Sequence, residues 1–206
     1  MKKSIVILAL LFSLLLVGCS PAPTATLQPT PTPIPGWVEF SAPGVSLWLP
    51  ESFQGGDLAN DLDVITQQLK TRGAEYETIV KMIEQNQSAF TIWAFDTNTG
   101  PSGALTNANV VKEQVVSAVT LDSYADAVQS QLPSDFTITE RQPVKLDNYD
   151  ALRLTLEMSE PNIKEIIYLV KPGNTMWVVT YATGADEFSE RLPTFEQSAN
   201  TLRVEP

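Results

Sequence analysis

Asp57, Asp61 and Asp63 follow Gly55-Gly56 within one short stretch of the chain. Carboxylates gathered in this way could hold a hard cation such as Ca²⁺, which takes several oxygen ligands. Their spacing is not that of an EF-hand loop, and acids in the first turn of a helix are stabilised by its dipole. The helix-start reading is preferred, with a cation site as the alternative; no metal or other cofactor is expected. A glycosidase needs two facing carboxylates, yet among 24 acidic residues no pair stands out. Histidine is absent, which removes Ser-His-Asp hydrolysis and the usual zinc sites. There is no G-x-S-x-G, no phosphate-binding glycine loop and no dinucleotide fingerprint. No catalytic residue is assigned, and the chain is read as non-enzymatic. Trp37, Trp48, Trp93 and Trp177 all sit in strand-like runs. They could line a ligand groove, but at strand period they are read as core.

The remaining reactive side chain is Cys19, the only cysteine. It closes the run Leu16-Val17-Gly18-Cys19 behind an apolar stretch, residues 4–17, that starts after Lys2 and Lys3. A short basic start and an apolar core make a secretory signal. The core is shorter than the roughly 20 apolar residues a spanning helix needs. The four-residue motif resembles the lipobox of bacterial lipoproteins. That resemblance implies a diacylglyceryl group on the Cys19 sulfur, cleavage before Cys19, and attachment to the outer face of a bacterial cell membrane. Two acyl chains hold a protein stably, at roughly 0.8 kcal/mol per buried CH₂. No other cysteine is left to pair with Cys19, so the body must rely on its core in an oxidising compartment.

Three segments follow: a signal peptide at 1–18, a lipidated cysteine with a linker at 19–36, and one globular domain at 37–206. In Ser20–Gly36, six of seventeen residues are proline. Such chain is extended and semi-rigid, with a reach on the order of 50 Å at about 3.1 Å per residue. Loss of Lys2 and Lys3 lowers 13 basic residues to 11 against 24 acidic ones, a net charge of −13. An acidic body is repelled by nucleic acid and anionic lipid, so nucleic acid is excluded as a partner.

The elements of the body are legible as periodicities. Trp37–Phe40 and Val45–Leu49 alternate around Ala42-Pro43-Gly44 and read as a hairpin that Pro50 ends. Leu58, Leu62, Ile65 and Leu69 form a helical stripe stopped at Gly73. Tyr76, Ile79, Val80 and Ile83 repeat it. Residues 88–95 and 110–116 read as strands. Leu121, Tyr124, Ala125, Val128 and Leu132 form a third stripe, with Thr120 as its N-cap. Phe136 and Ile138 alternate with threonines, and Val144 and Leu146 resume after Pro143. Leu152 to Met158 and Ile166 to Val170 alternate next. Met176–Ala182 is apolar on both faces, as a covered central strand requires. A last helix spans about 186–202, with Pro193 as a kink or fresh first turn. Short connections favour an antiparallel meander.

The opening Gly44-Val45-Ser46-Leu47-Trp48-Leu49-Pro50, the meander, and the closing Leu192-Pro193-Thr194-Phe195 through Leu202-Arg203-Val204 resemble the PsbP-like superfamily. This group includes the extrinsic photosystem II subunit and many bacterial lipoproteins. The resemblance covers roughly 37–55 and 135–204, and residues 57–86 depart from it as an insertion. It implies an α+β fold, an antiparallel β-sheet sandwiched by helices (α/β/α). It also implies a binding or assembly module; with the tether and the missing catalytic groups, the leading expectation is one that docks on a membrane complex or an envelope ligand. The histidines implicated in metal binding by plant members have no counterpart here. Two other classes stay open: a carboxylate-dependent envelope hydrolase and a structural surface component.

Overall fold

The computed structural model describes residues 33–205; Cys19 and the linker up to Thr32 lie outside the described residues. The first alternating runs form the expected hairpin, β1 (Trp37–Ala42) and β2 (Val45–Pro50), with Phe40 opposite Leu47. Seven strands make the main sheet: β3 (Phe53–Asp57), β4 (Phe90–Asp96), β5 (Asn107–Gln114), β6 (Phe136–Leu146), β7 (Tyr149–Met158), β8 (Ile163–Val170) and β9 (Thr175–Gly184). Their order is β3-β4-β5-β9-β8-β7-β6, and every neighbouring pair is antiparallel. Among the described residues four α-helices accompany them: α1 (Leu58–Arg72), α2 (Glu77–Gln85), α3 (Leu121–Gln131) and α4 (Phe188–Asn200). A two-residue strand, β10 (Arg203–Val204), pairs with β2 and completes a small three-stranded sheet.

Alternation decides which face each side chain takes. On one face, Ala108, Val110, Ile166, Tyr168, Trp177, Val179 and Tyr181 pack with Leu47 and Leu49 of the small sheet and with Phe195 and Ala199 of α4. The other face is covered in two patches. Trp93 and Phe95 meet Leu58, Ile65, Leu69, Val80 and Ile83 from α1 and α2. Leu152, Leu154, Leu156, Ile167 and Leu169 meet Ala125 of α3. Helices therefore flank the sheet on both sides, as expected. Burying each large apolar side chain contributes roughly 1.5–3 kcal/mol. Thr120 caps α3 reciprocally: its Oγ1 accepts from the Ser123 amide (3.1 Å), while Ser123 Oγ accepts from the Thr120 amide (2.9 Å).

Three local features differ from the sequence reading. Phe53–Asp57 is a strand, where the periodicities of the sequence indicate no element. Gly55 has a φ of 144°, and a Cβ there would overlap the Trp93 carbonyl and Ala94 Cα, so the close strand approach requires glycine. β6 runs unbroken through Pro143, because an edge strand has no neighbour to miss the proline N–H. Pro193 lies inside α4 rather than opening a fresh first turn.

Candidate functional site

The two helical covers leave a strip of sheet bare between them. One row of paired residues crosses it: Phe95 on β4, Asn107 on β5, Ala182 on β9, Glu165 on β8 and Leu156 on β7. Phe95 belongs to the patch under α1 and α2, and Leu156 to the patch under α3. Asn107, Ala182 and Glu165 form the floor of a cleft of about 580 Å³. Ligand sites typically enclose roughly 300–1,000 Å³. Tyr76 and Ile79, from the 3₁₀ turn Ala74–Tyr76 and α2, make one wall. Residues Ser102 to Leu105 of the β4–β5 loop and Pro161 to Ile163 of the β7–β8 turn complete it, with Asp186 from the β9–α4 connection.

The loop that rims the cleft is fixed by two arginines. Arg191 on α4 donates to Asp96 (2.7 Å) and to Glu187 (2.9 Å), and both carboxylates are buried. Glu187 in turn accepts from Ser102 Oγ (2.5 Å) and the Ser102 amide (3.1 Å). From the other side, Arg72 at the end of α1 donates to the Thr97 carbonyl (2.9 Å) and Thr99 Oγ1 (3.0 Å). Side chains at Gly100 and Gly184 would overlap Glu187 and Ser102, so both glycines admit the close approach. Burial pushes the Glu187 carboxyl up, but the Ser102 and Arg191 hydrogen bonds and the Arg191 charge outweigh it and hold the pKa below the ordinary value. A carboxylate so held is a weak base. The Ser102–Glu187 contact acts as a clamp on the loop.

Glu165 is different. It is half-buried, and among the described residues its carboxylate has no hydrogen-bond or ion-pair partner. Desolvation raises its pKa. A carboxyl raised on folding carries no penalty below its unfolded pKa. The penalty develops as pH rises and is complete above the folded pKa. Glu165→Gln is therefore expected to melt higher than wild type at pH 7, with the two curves converging near the ordinary Glu pKa of about 4.3. Thermal melts at both pH values check this; an equal gap at both would show that Glu165 ionisation is not the cause.

The residues singled out by sequence fall elsewhere. Asp57 is the N-cap of α1, accepting from the Ala59 amide (3.0 Å) and Asn60 Nδ2 (2.6 Å). Asp61 lies in the first turn, and Asp63 is exposed. Among the described residues no group of three or more acidic side chains is arranged to hold a metal ion. Trp48, Trp93 and Trp177 are buried, Trp37 is half-buried, and none lines the cleft. Cys19 is outside the described residues. Sequence reasoning missed Glu165. The signal was present: at alternate positions β8 reads Ile163, Glu165, Ile167, Leu169, one charge on an apolar face.

No protein-family model matches the sequence, and no curated protein matches it. Solved structures do. LpqN, involved in cell envelope biogenesis of Mycobacterium tuberculosis, aligns at 10% identity and a TM-score of 0.47 over 82% of this chain and 90% of that chain. A Pseudomonas aeruginosa protein of unknown function, PA94, aligns at 15% identity and 0.47 over 55% and 82%. The solution structure of the cyanobacterial PsbP protein CyanoP, from Synechocystis sp. PCC 6803, aligns at 12% identity and 0.50 over 84% of this chain and 95% of that chain. Together with the helix-flanked antiparallel sheet, that last likeness shows that the chain has the PsbP-like fold.

Proposed function

We propose that this protein is a lipid-anchored, extracytoplasmic binding module whose working surface is the cleft over β5, β9 and β8. The cleft carries the reading. It has ligand-site dimensions, and its rim is held by the Arg191 and Arg72 contacts rather than left to order on binding. Ser102, the hydroxyl at its edge, is engaged by a carboxylate that is a weak base. Binding without chemistry suits these groups. The signal and Leu16–Cys19 motif supply the anchor, and the proline-rich linker sets the domain within about 50 Å of the bilayer.

One measurement addresses both parts. The full chain is extracted in detergent from its own membrane and its mass determined, first intact and then under native conditions. The intact mass is expected to begin at Cys19 and to include a diacylglyceryl group. The native spectrum is expected to show a bound small molecule that disappears in Asn107→Trp, where the indole fills the cleft. A chain starting at Met1, or one without lipid, would overturn the anchor. Bare masses in both wild type and Asn107→Trp would overturn the binding site.

A further inference from the structure

The chemistry of the cleft restricts what can occupy it. Among the described residues its ionisable carboxylates are Glu165 on the floor and Asp186 at the edge, and no described lysine or arginine lines it. The cations nearby are committed. Arg191 pairs with Asp96 and Glu187, while Arg72 donates to the neutral Thr97 carbonyl and Thr99 Oγ1 and lies over the Tyr76 and Phe95 rings. Lys164, next to Glu165 in sequence, points to the opposite face, paired with Glu157 (2.6 Å) and 5.0 Å from the Phe188 ring centre. Glu165 thus keeps a partly desolvated charge that the protein itself does not balance. Burying such a charge is unfavourable until an opposite charge reaches it. The flanking surface is apolar, from Ile79, Leu105, Ile163 and Ala182.

We infer that the cleft selects a small organic cation, an amine carried on an apolar body, with Glu165 as its counter-ion. This rests on the cleft being the binding site. A metal ion is a poor fit, since no three acidic groups converge among the described residues. An anion would meet like charge with nothing to offset it. An ammonium group donates a charge-assisted hydrogen bond to the Glu165 carboxylate. Asn107 lies in the same row on the far side of Ala182, its Nδ2 donating to the Leu105 carbonyl (3.2 Å).

The test uses three probes of one shape: phenethylamine, 2-phenylethanol and 3-phenylpropionate, each titrated into the full chain in detergent and followed by NMR. Phenethylamine is expected to shift signals of Leu105, Ile163 and Ala182. The neutral alcohol is expected to bind at least roughly tenfold more weakly, and the carboxylate not at all. Glu165→Gln is expected to lower phenethylamine affinity by about tenfold while melting no lower than wild type, which separates lost binding from lost folding. Asp186→Asn, at the exposed edge, is expected to change it by about twofold or less. Equal binding of amine and alcohol in the cleft would overturn charge selection and leave the binding site standing. Full affinity in Glu165→Gln would overturn the assigned counter-ion. Absence of any shift up to about 10 mM amine would overturn the inference outright.

Discussion

Trp177→Ala is expected to destabilise the protein by about 4 kcal/mol, within the roughly 3–5 kcal/mol range for deleting a buried large aromatic. Trp177 lies on central strand β9, between Lys112 of β5 and Val170 of β8, and is fully buried. Its Nε1 donates to the Glu205 carbonyl (3.2 Å), and Lys112 Nζ lies 4.9 Å from the ring centre. The ring thus ties the hairpin turn at Gly44 and the end of the chain to the main sheet. A domain is stable by roughly 5–15 kcal/mol in total, so this change is a large fraction. Trp177→Phe keeps the ring packing and loses the donor, which lowers the effect toward about 1 kcal/mol. Denaturant titration of both variants checks the pair. A loss below about 1 kcal/mol in Trp177→Ala would contradict the packing assigned to this face.

Arg191→Met is expected to cost about 3 kcal/mol, because it leaves Asp96 and Glu187 buried without their cation. In a domain of this size that corresponds to a Tm lower by about 6–12 °C. The sign follows from the carboxylates rather than from the arginine. The triple variant Arg191→Met, Asp96→Asn, Glu187→Gln removes both stranded charges and is expected to melt above the single variant. If the triple variant melts no higher than Arg191→Met alone, unpaired charge is not the source of the loss.

Much of this architecture is visible in the chain because strand and helix periods differ. The strict alternation of β7 and the doubly apolar β9 locate the middle of the sheet, and Thr120 marks the start of α3. The strand at Phe53–Asp57 is hidden, since its identity rests on a backbone approach at Gly55 that no side chain announces. The preferred helix-start reading of Asp57 agrees with its place as the N-cap of α1; the alternative of an ion ligand arose because an acid at a helix start and a metal ligand look alike in sequence. The cleft depends on register. Asn107, Ala182 and Glu165 are widely separated along the chain and meet only once β5 and β8 both pair with β9. Local pattern carries no information about that long-range pairing. The clamp is hidden for the same reason, with Ser102 and Glu187 lying 85 positions apart.

The bare strip of sheet between the helical covers has a consequence for how this protein can change. Its three floor positions lie one on each of three adjacent strands, and none belongs to a hydrophobic cluster that holds the layers together. Substitutions there alter the shape and charge of the floor while the packed residues on either side keep the sheet in place. The floor of the cleft and the packing that joins the layers are thereby carried by different residues of the same strands, so the chemistry of the floor can change while every member of the hydrophobic clusters is kept.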